Sequence, residues 1–142
     1  MNTGTARNPD KVVLDTNILT SALVFGGNPQ KVFRLVLKKK IQVITSPILQ
    51  AELFDIIAKK FPLSLEDFYL LKQEMRRSFV TVYPSATLDV VRDPDDNRVL
   101  EAAVEGNCNF IITGDQDLLA LHKYKKIKIL TPAEFLEEVE NL

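Results

Sequence analysis

The hydrophobic positions of the chain fall into two alternating kinds of run. Short, nearly continuous apolar stretches occur at Lys11 to Leu14 (KVVL), Gln42 to Thr45 (QVIT), Phe79 to Tyr83 (FVTVY), Asn109 to Thr113 (NFIIT) and Lys126 to Leu130 (KIKIL). Runs of this kind predict strands covered on both faces. Between them, residues 29–39, 47–60, 64–78, 96–106 and 132–140 place apolar side chains at helical spacing. Start signals support several of these helices: Ser46 before Pro47, and Thr131 before Pro132 with Glu134 behind it. Strands alternating with helices predict an α/β fold, a parallel sheet covered on both sides. No repeat, low-complexity tract or linker interrupts the pattern. One domain over 10–142 is expected, after a small, polar and flexible leader at 1–9 (MNTGTARNP).

Composition narrows the function. With 142 residues, 46% of them hydrophobic, the chain can bury a core without staples. Its 18 Lys and Arg against 19 Asp and Glu leave no global positive field, so any affinity for a polyanion must be local. Basic clusters at Lys38 to Lys40, Arg76-Arg77 and Lys123 to Lys128 are either such local contacts or solvated faces. The single cysteine, Cys108, excludes an internal disulfide framework and a Cys-rich zinc site, and reads as a small apolar filler in a reducing interior. Neither a signal-peptide core nor a membrane-length apolar run is present, so a cytoplasmic protein without membrane association is expected.

Chemistry concentrates where strands end, because ligands of open parallel sheets sit outside the carboxyl ends of the strands. Asp15, followed by Thr16 and Asn17, leaves the first strand, and Asp115 leaves the run NFIIT with Asp117 two residues on. Asp15 is placed either to cap the next turn or to point into a crevice. Thr16 and Asn17 are placed to support that carboxylate or to cap locally. On a helix beginning at Pro47, Glu52 falls at roughly 40°, between Ile48 at 0° and Ile56 at roughly 80°. A carboxylate inside an apolar stripe either snorkels at its edge or faces a polar pocket, a cation or a base. Asp93, Asp95 and Asp96 open the helix that carries Val99, Leu100 and Ala103, and acids there complement the helix dipole without further function. Asp96 is distinguished by spacings of three, four and seven residues to those apolar positions, which aim it along the inward face. Asp115 serves equally as the cap of a short helix, Gln116 to Leu121. Four such acids around one crevice would repel, by about 4 kcal/mol for a pair 4 Å apart at an effective dielectric of 20. A cation relieves this, and oxygen ligands without His or Cys favour Mg2+ or Mn2+. The lone His122 reads as a solvated surface residue.

At these residues the sequence resembles the PIN-domain family, most closely its branch of toxins from prokaryotic toxin-antitoxin pairs. The resemblance is carried by VVLDTNILTSAL (12–23), SPILQAELFDII (46–57), RDPDDNRVLEAAVEGN (92–107), FIITGDQDLLAL (110–121) and KILTPAEFLEEV (128–139), in matching order over nearly the whole chain. It implies a three-layer α/β/α fold with a five-stranded parallel sheet in order 3-2-1-4-5. The strands ending in Asp15 and Asp115 are then adjacent, at the switch point. It further implies that Asp15, Glu52, Asp96 and Asp115 are catalytic acids binding Mg2+ (or Mn2+). Asp117 is an additional acid, and Thr113, Thr16 and Asn17 are supporting polar residues. Asp93 and Asp95 match the branch's motif but not its usual ligand position. The implied activity is metal-dependent hydrolysis of RNA phosphodiesters, and the implied partners are an RNA substrate and a cognate antitoxin.

Two other enzyme classes fit less well. A haloacid-dehalogenase-like phosphatase needs a second Asp where Asn17 stands. A receiver domain needs its acidic pair at the first strand and a Lys after the fifth. A PIN-like module that binds RNA or protein without cutting, or a housekeeping RNA-processing nuclease, remains as an alternative, although the four acids oppose the former. The weakly charged stretch Ile18 to Phe25 (ILTSALVF), together with the resemblance, leads to an expected homodimer or larger assembly.

Overall fold

The computed structural model describes residues 8–61 and 63–139; residues 1–7 of the expected leader and residue 140 of the last expected helix lie outside them. The chain runs β1 (Asp10–Leu14), α1 (Thr16–Val24), α2 (Gly27–Leu37), β2 (Ile41–Thr45), α3 (Pro47–Lys60), α4 (Leu65–Ser78) and β3 (Phe79–Thr81). It continues through α5 (Pro94–Glu105), β4 (Phe110–Ile112), α6 (Gln116–Leu119), β5 (Lys123–Tyr124), β6 (Ile127–Leu130) and α7 (Pro132–Glu138).

The sheet order is β3-β2-β1-β4-β6-β5. Its five parallel strands reproduce the expected 3-2-1-4-5 order, with β6 as the fifth. The expectation of five strands is corrected by β5, a two-residue strand antiparallel to β6 at the edge. Lys125, at φ 54°, turns the chain between them.

Alternating strand residues feed two cores. Val12, Leu14, Phe110 and Ile112 point to the face covered by α1, α2, α3, α4 and α7, where Val32, Leu53, Met75 and Phe135 are buried. Val13 and Ile111 point the other way, onto Leu100, Ala103 and Leu118 of α5 and α6. This is the three-layer α/β/α arrangement. Gly106 sits where α5 meets β2 so closely that a Cβ there would lie 2.6 Å from Ile44 Cγ2. Cys108 is buried in the second core as expected, and burial pushes its thiol up to about 12.

Two boundaries differ from the sequence reading. The stretch after Asp15, to which the sequence pattern assigned no element, is a helix, α1, and Gly26 and Gly27, at φ 75° and 69°, turn it into α2. Strand β3 ends at Thr81, its last bond being the Val82 amide to the Thr45 carbonyl at 2.8 Å. Among the described residues, no helix is long and apolar enough to cross a membrane.

Candidate metal centre

Strands β1 and β4 are hydrogen-bonded neighbours, and the acids following them are tied together by one buried hydroxyl. Thr113 Oγ1 donates to Asp15 Oδ2 at 2.7 Å and accepts the Asp115 amide at 2.9 Å. Thr113 is fully buried, so this hydroxyl is shielded from solvent. Asp15 also caps α1, accepting the Asn17 amide at 3.4 Å, and Asp115 caps α6, accepting the Leu118 amide at 3.0 Å. Capping and convergence, which the sequence left as alternatives, therefore coexist at both residues.

Asp96 enters from the layer that holds α5 and α6, in the first turn of α5. It is 8% exposed, and its Oδ2 is buried with no hydrogen-bond partner. Burial pushes its carboxyl up to about 7; the charge of Asp115 and its hydrogen bonding add to this, and Asp93 and Asp15 contribute further. One carboxylate oxygen from each of Asp96, Asp115 and Asp117 lies within 4.8 Å of the others. Asp117 also accepts Arg92 at 3.2 and 3.1 Å, on an exposed guanidinium. Asp15, Asn17, Arg92, Asp115 and Asp117 line a groove of about 640 Å³.

Glu52 stands outside the tight group, on the α3 side. Burial raises its carboxyl, as do Asp95, Asp15 and Asp93, while a hydrogen bond from the Thr16 side chain opposes them. Asp15 thus acts on Glu52 and on Asp96 alike. The sequence argument for Glu52 needs correction even though its neighbours are acids. The buried stripe of α3 is Leu49, Leu53 and Ile57, whereas Ile48 is 53% exposed. Glu52 is half-buried at the edge of that stripe, not inside it.

The sequence missed what holds the acidic segment. Asn97, 3% exposed, accepts the amides of Val90 and Val91 at 2.9 and 3.0 Å through Oδ1, and donates Nδ2 to the Val91 carbonyl at 2.9 Å. Glu101 accepts the Leu88 amide at 2.8 Å and pairs with Arg98 at 2.9 Å. Together they fasten the extended connection ahead of Arg92 and Asp93 onto α5. The helix-opening motif contained Asn97 in plain view, but nothing in its spacing marked it as buried. His122 is exposed, as expected.

Whether these residues suit a cation is answered by their chemistry. A carboxylate with an orphaned buried oxygen, grouped with two further acids, is costly unless protonated or bridged by positive charge. The donor set consists of oxygens alone, which suits a hard divalent ion.

Residues 11–117 match the PIN domain model, and the chain belongs to the PIN-domain family. PIN domains are generally nucleases, and the acidic cluster lies at the strand ends of this one. The uncharacterized protein MJ1680 of Methanocaldococcus jannaschii is 39% identical over 143 residues, covering 92% of each chain. Among solved structures, VapBC2 from Rickettsia felis, crystallised bound to a DNA fragment from its promoter, superposes with a TM-score of 0.58 at 15% identity. The match covers 84% of this chain and 96% of that one, and it shows a shared fold.

Proposed function

We propose that this chain is a cytoplasmic, metal-dependent endoribonuclease, the toxin of a toxin-antitoxin pair, acting as one PIN domain over residues 10–142. Asp15, Glu52, Asp96 and Asp115 are its catalytic acids; they hold Mg2+ or Mn2+, with Asp117 assisting. The observation that carries the reading is Asp96, whose Oδ2 is buried and unpartnered and which has a carboxylate oxygen within 4.8 Å of ones from Asp115 and Asp117.

The cation supplies charge stabilisation of the scissile phosphodiester and activation of an attacking water, so no nucleophilic side chain is needed. The protein's own contribution is pre-organisation. Thr113 fixes Asp15 and the Asp115 backbone relative to each other, and Thr16 steadies Glu52. Asn17 holds the Asp15 carboxylate through its backbone amide. Arg92, exposed at the rim, is placed to meet a phosphate of the incoming RNA.

A cognate antitoxin is supported by the fold shared with a chain of the VapBC2 complex. Self-association is supported by α1: Ile18, Leu19 and Ala22 are core, but Leu23, Val24 and Phe25 are exposed at its end. Light scattering should give a dimer or larger species; a monomer at every concentration contradicts that part of the proposal.

The direct test is melting with and without millimolar Mg2+. Binding to the folded state alone should raise the melting temperature through mass action. An unchanged melting temperature would favour a module that no longer cuts.

A further inference from the structure

A second cavity, of about 280 Å³, lies between α3, α4 and β3, away from the acids. Phe54 and Phe79 contribute aromatic surface, and Lys72 and Arg76 contribute charge. The Lys72 ammonium lies 5.2 Å from the Phe54 ring centroid and 5.0 Å from that of Phe68, and neither Lys72 nor Arg76 has an ion-pair partner among the described residues. Gln50 Nε2 donates to Thr81 Oγ1 at 2.8 Å, and among the described residues neither the amide oxygen of Gln50 nor its second N–H has a partner.

Position links this cavity to the groove. Val43 pairs with both Val12 and Phe79, so Thr81 and Leu14, each two residues further on, end their strands at one level. Two strand spacings separate them, about 10 Å. Asp15 follows Leu14 directly, so Thr81, which lines the cavity, ends its strand at the carboxyl edge from which Asp15 leaves.

We propose that this cavity is a nucleotide subsite for single-stranded RNA extending from the acidic groove. Lys72 and Arg76 meet two neighbouring phosphates, the aromatic surface takes the base between them, and Gln50 reads the base edge. Cations without a carboxylate partner among the described residues, beside aromatic rings, are how sequence-tolerant single-strand sites are built, and the remaining amide groups of Gln50 add a polar contact for a base. An acidic peptide would use the cations but has no need of the rings or the amide. The proposal rests on the RNA-cleaving reading, yet its test does not require cleavage.

The experiment is fluorescence anisotropy of the full chain with labelled homopolymeric RNA of about ten nucleotides, a length that spans one such site, in chelator so that nothing is cut. The Lys72→Ala/Arg76→Ala double variant should bind roughly tenfold more weakly, with the slope of log affinity against log salt reduced by about 1.4, the loss of two phosphate contacts. Gln50→Ala should change the ranking of homopolymers rather than weaken all of them equally. Lys125→Ala/Lys126→Ala, the same charge loss elsewhere, should bind like wild type. Equal binding by the Lys72/Arg76 variant and wild type, no RNA binding by wild type, an equal loss in the Lys125/Lys126 control, or displacement of RNA by an oligoglutamate peptide at lower concentration than by unlabelled RNA would each overturn the subsite. Loss of the subsite with cleavage still abolished by Asp96→Asn would leave the nuclease reading standing. RNA binding through the subsite without any magnesium-dependent cleavage would remove the nuclease reading alone.

Discussion

Thr113 and Asp15, 98 residues apart in sequence, are joined by a 2.7 Å hydrogen bond across the β1–β4 pair. Because the same hydroxyl accepts the Asp115 amide, one side chain sets the spacing of two acids. Thr113→Val keeps the shape and removes the hydroxyl. It leaves Asp15 short of a donor and a buried amide unsatisfied, at a cost of about 1–3 kcal/mol. Urea unfolding should report that loss, and cleavage should fall more than Mg2+-free folding does. Wild-type stability and activity in this variant would mean that the two acids are positioned by something else.

Asn97 acts at one remove. It holds the Val90 and Val91 backbone against α5, and with it the approach to Arg92 and Asp93. Asn97→Ala should lower stability by on the order of 2 kcal/mol, since two backbone amides lose their acceptor. Amide hydrogen exchange should show the loss concentrated at 88–93. Uniform protection across that segment would contradict the anchoring role.

Protonation gives a third expectation. Asp96 is pushed up to about 7 from an ordinary value of 3.8, and Glu52 is raised from 4.5. The metal-free folded state therefore retains protons that the unfolded chain releases. The associated stability is complete below about 3.8 and is lost as pH rises through about 7, with a slope of at most about 1.4 kcal/mol per pH unit from Asp96. In chelator, the stability advantage of Asp96→Asn over wild type should grow between pH 5 and pH 7.5, estimated at about 1 kcal/mol or more. Apparent Mg2+ affinity should rise over the same interval, since the cation displaces those protons. Isothermal titration in two buffers of different ionisation enthalpy would register the released protons, and a pH-independent affinity would contradict the raised carboxyl groups.

The parts of this molecule that could be read from the sequence were those set by local periodicity. Continuous apolar runs gave the parallel strands, and the spacing from Asp96 to Val99, Leu100 and Ala103 placed it correctly on the buried face of α5. Helix α1 escaped because TNILTSALV is apolar or small on nearly every side, so no stripe with helical period stands out. Strand β5 escaped because two residues carry no pattern, and its pairing depends on a turn at Lys125. Glu52 was selected through Ile48 and Ile56, a stripe that tertiary packing rotates towards Leu49, Leu53 and Ile57. The pairing of Arg92 with Asp117 and the role of Asn97 depend on how segments meet in space, which spacing within one helix does not encode.

The most direct test of the metal centre pairs two readings on Asp96→Asn and Asp115→Asn. Each variant and wild type are assayed for cleavage of a structured RNA panel with Mg2+ and with chelator, and each is unfolded in urea without metal. Removing one of several crowded carboxylates should abolish Mg2+-dependent cleavage in both. Metal-free stability should be unchanged or raised for Asp96→Asn, where an unpartnered charge is removed, and should fall by no more than about 1 kcal/mol for Asp115→Asn, which also loses a capping carboxylate. Cleavage retained in both variants, together with lowered metal-free stability in both, would contradict the metal centre and leave these acids as structural caps.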